Sequence, residues 1–278
     1  MVAISFVVAA YRKPERLALC LHALRNQIYG DFEIIVADDG SPPGENDKVA
    51  AAYGALYLTH ERTRVNGVAT RNMPWVLNTG VGAAQGVIVQ TLQEDHIVAP
   101  DFSLWLSRTV RHDTVMFGLT NHDDRAWTHA DVDSLLRTLH LPDGEVRYDL
   151  YADHGRSTIF GFDNWRHCDG LDAAFFRSQW DEGLDTNFVG QGHEWLDWFL
   201  RWKLKGGYFA VNPLLRLYHM DEPPAPNKEQ WEAELAASYV KMIVKYGVDI
   251  WSVELIQDYP YTAARPAMWA RQDERGLR

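Results

Sequence analysis

Apolar residues fill positions 4–10 almost without a break, and the chain then turns basic at Arg12 and Lys13. A short apolar run closed by a turn predicts a buried strand. Pro14 suits the first turn of a following helix, where its missing N–H costs nothing. Leu17, Leu21 and Leu24 recur at helical spacing and give that helix one apolar face. A second strand is predicted over 33–37, ending in Asp38 and Asp39, and the cluster Ser41-Pro42-Pro43-Gly44 is a turn. A helix near 45–53 and a short strand near 55–59 complete a third βα pair. In such a β-α-β series the polar strand ends lie together on the C-terminal edge of a parallel sheet, where open α/β folds bind their ligands.

The segment Leu77-Asn78-Thr79-Gly80-Val81-Gly82-Ala83-Ala84-Gln85-Gly86 reads as a helix whose small residues permit close approach to a sheet. It leads into a strand, Val87–Leu92, that ends at Gln93-Glu94-Asp95-His96. Residues 113–165 read as irregular and polar, rich in His, Asp and Trp, fitting a substrate loop or a plain surface insertion. Leu214-Leu215-Arg216-Leu217-Tyr218-His219 predicts a last strand delivering His219. After Pro226 the tail reads as helical, with Trp231, Leu235 and Tyr239 on one face, packing on the same core or on a second subunit. That partition gives residues 1–225 as the main domain and 226–278 as a helical extension, and the extension could support a homo-oligomer.

Charge and composition narrow the classes. A net charge of −11 opposes adhesion to nucleic acid or anionic lipid. Cys20 and Cys168 make neither a metal-type spacing nor a disulfide framework, so the reducing cytoplasm is the expected compartment. No window approaches the ~18 apolar residues that span a bilayer, and residues 1–10 lack the basic leader of a signal peptide.

Five ordered features resemble the family 2 glycosyltransferases: the turn after the first strand, the Asp38-Asp39 pair, the N-x-G-x-x-x-A-x-G helix, the Gln93-Glu94-Asp95 triplet, and the segment Gly183–Asp197 with Arg201. The resemblance implies an α/β GT-A fold, a mixed, mostly parallel sheet flanked by helices. It also implies a metal-dependent transfer of sugar from a nucleotide-diphospho sugar. Ala10, Tyr11, Asp38 and Asp39 would contact base and ribose, and an acid there would accept the N3–H of uracil, which favours a UDP-sugar. The triplet stands where the family has D-x-D, with Gln93 in place of the first Asp. Gln93 and Glu94 then fall to the nucleotide, and Asp95 to a Mn²⁺ or Mg²⁺ ion that stabilises the departing diphosphate. His219 would complete the metal site, with His96 as a rival. Arg12, Lys13 and Arg71 are candidate phosphate partners.

The family's E-D pair opens a helix, and its Asp is the base of inverting members. Here Trp195 stands at that place, so Glu194 and Asp197 are the catalytic candidates, with inversion and retention both open. The expected acceptor is a saccharide hydroxyl, and the charge disfavours a nucleic-acid base. Two other classes compete. One is a non-catalytic sugar- or nucleotide-binding relative, since two signature carboxylates are replaced. The other is a nucleotidyltransferase, although Ala9-Ala10-Tyr11-Arg12-Lys13-Pro14 lacks the glycines of its phosphate loop.

Overall fold

The computed structural model describes residues 2–123, 126–137, 170–190, 192–220 and 228–247. Its centre is an eight-stranded sheet. In chain order the strands are β1 (Ile4–Ala10), β2 (Phe32–Asp38), β3 (Leu56–Thr59), β6 (Ile88–Gln93), β7 (His96–Val98), β8 (Thr114–Asp123), β9 (Ala173–Phe176) and β10 (Tyr208–Met220), while β4 (Arg64–Val65) and β5 (Val68–Ala69) form a separate small ribbon. The spatial order is β3-β2-β1-β6-β9-β8-β10-β7. β1 pairs in parallel with both β2 and β6, whereas β9 and β7 run antiparallel to their neighbours. The chain therefore reverses its direction of travel across the sheet between β1 and β6, the type of switch point at which α/β folds open a crevice.

Helices cover both faces, which explains why the central strands are apolar throughout. Ile4, Phe6 and Val8 point to one face, where they meet Leu17, Leu21 and Leu24 of α1 (Pro14–Arg25), Phe102 and Leu106 of α4 (Phe102–Thr109), and Val132 and Leu135 of α5 (His129–Arg137). Val7 and Ala9 point to the other face, against Val76, Leu77 and Val81 of α3 (Met73–Ala83). Trp195, Trp198 and Phe199 of α6 (Glu194–Leu204) join the same layer. The remaining helices are α2 (Asn46–Ala52) and α7 (Lys228–Tyr246). Burial of this kind contributes ~25 cal/mol per Å² of apolar surface.

The small residues of α3 have the expected consequence. A Cβ added at Gly80 would lie 2.5 Å from Val7 Cγ1 and 3.3 Å from Ala37 Cβ, so only glycine lets this helix sit so close to β1 and β2.

Two expectations are corrected. Residues 114–137 are not irregular: β8 lies between β9 and β10 inside the sheet, and α5 follows it. The buried half of the strand, Val115-Met116-Phe117, was masked by its polar continuation Thr120-Asn121-His122-Asp123. Residues 138–169 of that segment lie outside the described residues. On α7, Trp231 is 38% exposed, while Ser238 and Met242 are buried. Leu235 and Tyr239 do pack inward, Leu235 against Gly192 and the Tyr239 ring 5.7 Å from that of His193, and the contact face continues through Ser238, Met242 and Tyr246. α7 docks on its own chain: Ser238 Oγ donates to Gly192 O, and Lys241 Nζ donates to Asn187 O at 2.7 Å.

Candidate active site

Strand register assembles the site. Ala10 lies opposite Asp38, and Ala9 lies opposite Gln93. Asp39 N donates to Ala10 O at 2.9 Å and Glu94 N to Ala9 O at 3.0 Å, stitching the three strand ends together just past the sheet. Between them opens a cleft of about 190 Å³ lined by Ala10, Tyr11, Lys13, Asp39, Arg62, Arg71, Gln93 and Glu94, among others. Arg12 turns the chain at φ 57°, and its N–H donates to Ser41 Oγ at 2.8 Å. That left-handed backbone in a non-glycine residue stores strain of the sort that clusters at functional sites.

The two acids after β2 have different tasks. Asp38 is fully buried and accepts from Ser41 N at 2.6 Å and Asn46 Nδ2 at 2.7 Å, which fixes the turn. Asp39 faces the cleft. It accepts from His60 Nε2 at 2.8 Å, Asn72 N at 3.1 Å and the Arg62 guanidinium. Arg62 also lies over the Tyr11 ring, 3.9 Å from its centroid. His60 and Arg62 were not singled out from sequence, yet both follow β3, a third strand end on the same edge.

β6 ends at Gln93, so Glu94 and Asp95 form a turn and His96 begins β7. β7 pairs not with β6 but with β10, setting His96 directly opposite His219. Cross-strand partners on one face touch, and the two rings stand 5.3 Å apart. One ligand atom each from Asp95, His96 and His219 lies within 4.8 Å of the others. Asp95 Oδ1 makes no hydrogen bond and stands 3.6 Å from His219 Nε2. A buried carboxylate oxygen and two imidazoles are a donor set that fits a divalent ion such as Mn²⁺.

Charge is unevenly shared along the turn. Burial, then the neighbouring Asp95, push the Glu94 carboxyl up to about 8. Burial opposes ionisation of Asp95 too, but His219, His96 and Lys13 outweigh it and hold Asp95 below its ordinary value. Glu94 Oε1 accepts from Tyr11 N at 3.4 Å.

α6 presents the other carboxylates. Its approach is built from Gly190 (φ 106°), Gly192 (φ 83°) and His193 (φ 67°), a left-handed entry that aims the first helical turn back at the sheet edge. Glu194 is 3% exposed and stands 3.7 Å from Arg71, which lines the cleft. Asp197 has different partners. Its side chain is wholly enclosed, accepting from Arg201 Nε at 3.0 Å and Tyr246 Oη at 2.6 Å, with Lys245 Nζ at 2.7 Å. Trp195 is 6% exposed and packs with Trp180, Trp198 and Phe199.

Residues 5–125, which carry β1 through β8, match the model of glycosyl transferase family 2. Over that stretch, a little under half of its length, the chain is similar to the family 2 glycosyl transferases. Consistently, it is 30% identical over 112 residues to the Bacillus subtilis (strain 168) protein named "Putative glycosyltransferase EpsH", covering 40% of this chain and 31% of that one. It is 26% identical over 180 residues to the uncharacterized protein y4gI of Sinorhizobium fredii (strain NBRC 101917 / NGR234), covering 63% of this chain and 18% of that one. The chain thus spans under a third of the length of these curated relatives. Among solved structures it resembles the mannosyltransferase PcManGT from Pyrobaculum calidifontis in complex with GDP-Man and Mn²⁺, at TM-score 0.56, 17% identity and coverage of 96% of this chain and 68% of that one. It also resembles S. aureus TarS at TM-score 0.51 and 12% identity, over 87% of this chain and 40% of that one. These likenesses show the GT-A fold. No helix among its described residues is long and apolar enough to cross a membrane.

Proposed function

We propose that the chain transfers a sugar from a nucleotide-diphospho sugar to an acceptor hydroxyl, with a divalent cation at Asp95 and His219. The observation that carries this reading is the convergence of the strand-end cleft with the Asp95, His96 and His219 cluster at a family 2 sheet edge. The base would stack by Tyr11 beside Asp39 and Arg62, and the ribose would reach Gln93 and Glu94. Asp38 acts from behind, holding the turn that presents Asp39. The cation, Mn²⁺ or Mg²⁺, would neutralise charge growing on the diphosphate as the glycosidic bond breaks. Lys13 and Arg71 line the same cleft and would face the phosphates. Glu194, buried beside Arg71, is the carboxylate proposed to meet the acceptor, and a saccharide hydroxyl is the proposed acceptor.

UDP is the proposed donor nucleotide, read through Asp39. The mannosyltransferase of similar fold, in complex with GDP-Man, supplies the competing nucleotide. A second reading rests on Trp195. The family's usual base position is filled by a core tryptophan, which suits either retention of configuration, in which the leaving phosphate takes the proton, or a non-catalytic binding relative.

A thermal-shift comparison of UDP and GDP, with and without Mn²⁺, tests the donor and the metal together. A nucleotide at ~100 times its dissociation constant adds about 2.7 kcal/mol of stability. UDP with Mn²⁺ is expected to give the largest shift, and Asp95→Asn to remove the Mn²⁺-dependent part. Equal shifts in chelator would end the metal assignment, and a larger shift with GDP would end the uracil one. Release of nucleoside diphosphate from a sugar nucleotide separates the enzyme from a binding relative.

A further inference from the structure

Asp95 is divided between two sets of neighbours. Its Oδ1 faces His219, while its Oδ2 receives Lys13 Nζ at 3.1 Å, with Arg16 at 3.9 Å. The same ammonium stands 3.6 Å from Glu94 Oε1. Lys13 thus bridges both acids of the β6–β7 turn, and it also lines the donor cleft. The two cations differ in how they are tied down. The Arg16 guanidinium donates to the Met220 carbonyl at the end of β10 and belongs to α1, whereas Lys13 comes from the turn between β1 and α1. A lysine on a flexible four-carbon stem moves its charge more cheaply than an anchored guanidinium.

We propose that Lys13 is a built-in counter-ion that guards the metal site: it neutralises Asp95 in the free protein and transfers to the donor's diphosphate when that enters the cleft. The proposal rests on the glycosyltransferase reading and adds a binding order to it. An ammonium on one oxygen of Asp95 repels a divalent cation approaching the other. Unit charges about 4 Å apart interact measurably even at the dielectric of water, and the doubled charge of the metal doubles the effect. A diphosphate offers Lys13 a denser anion than a single carboxylate already shared with Arg16 and His219. Once Lys13 has moved, Asp95 is released to join the two histidines at the metal. Nucleotide and cation therefore bind with positive coupling, and linkage requires each to tighten the other by the same factor. Lys13 is on this account a positioning residue. Its removal shifts metal affinity before any chemistry occurs.

The test is titration of Mn²⁺ alone, followed by its electron paramagnetic resonance signal, into wild type, Lys13→Met and Lys13→Gln, each with and without UDP or GDP. In wild type the nucleotide is expected to tighten Mn²⁺ by roughly ten-fold or more. Both variants should bind Mn²⁺ alone about that much more tightly than wild type, and nucleotide should then tighten it by a smaller factor than it does in wild type. Variants that bind Mn²⁺ no better than wild type in the absence of nucleotide would overturn the guarding role while leaving the glycosyltransferase reading intact. Absence of Mn²⁺ binding in every protein, with nucleotide present, would overturn both.

Discussion

Asp197→Asn tests whether Asp197 holds the scaffold together, in contrast to Glu194, the carboxylate proposed to meet the acceptor. Asp197 is enclosed completely and faces two cations, Arg201 and Lys245, plus the hydroxyl of Tyr246. These contacts join α6 to the C-terminal turn of α7. Tyr246 shows the strength of the arrangement: burial, then its hydrogen bond to the Asp197 carboxylate, raise its pKa above the ordinary tyrosine value. The asparagine keeps the shape but removes the charge and one acceptor, leaving Arg201 with the exposed Glu182 carboxylate and the Gly183 carbonyl. Breaking a buried pair on one side costs ~3–5 kcal/mol. Lys245 is about a third exposed and retains Asp185 as a partner, so the lower end of that range is expected. Urea unfolding reads the cost, and Tyr246→Phe, which removes one hydrogen bond to a charged group, should cost ~1.5–3 kcal/mol. Glu194→Gln makes the contrast: turnover should fall ~10²–10⁴-fold if it acts as base, with donor binding nearly unchanged. A stable Asp197→Asn that loses turnover as severely would refute the scaffold assignment and move the chemistry one turn along α6.

Two further outcomes test the frame around the site. Gly80→Ala should destabilise by ~1–3 kcal/mol, because its methyl group would overlap Val7 in a packed core; an unchanged urea midpoint would show that α3 is free to shift. Burial lowers the His193 pKa to about 4 from its ordinary value of 6.5. Because the folded state disfavours the charged ring, its contribution is complete above pH ~6.5 and declines as pH falls toward 4, by up to about 3 kcal/mol. His193→Asn, which tolerates the left-handed backbone, should flatten the stability–pH curve in that window. Parallel curves for the two proteins would contradict it.

The sequence by itself determined the parts whose signals are local. Alternating strands and helices from Ile4 to Thr59 and the small-residue helix before β6 follow from apolar runs and short-range spacing. That Ala10, Tyr11, Asp39, Gln93 and Glu94 share one edge follows from the parallel strands that alternating strands and helices imply. Tertiary structure decided the rest. His96 meets His219 only because β7 leaves β6 and pairs with β10, a register set by distant strands. Asp39 faces the cleft while Asp38 fixes a turn, although the two are chemically identical and adjacent. His60 and Arg62 reach Asp39 because β3 ends beside β2. Glu194 and Asp197 sit one turn apart on α6, yet Asp197 meets Tyr246 and Lys245 of α7 while Glu194 meets Arg71, and no helical periodicity within α6 records where another helix will dock. Spacing places a side chain on a face of its own element, but what faces it depends on long-range packing, and that packing gives two carboxylates of one helix different partners.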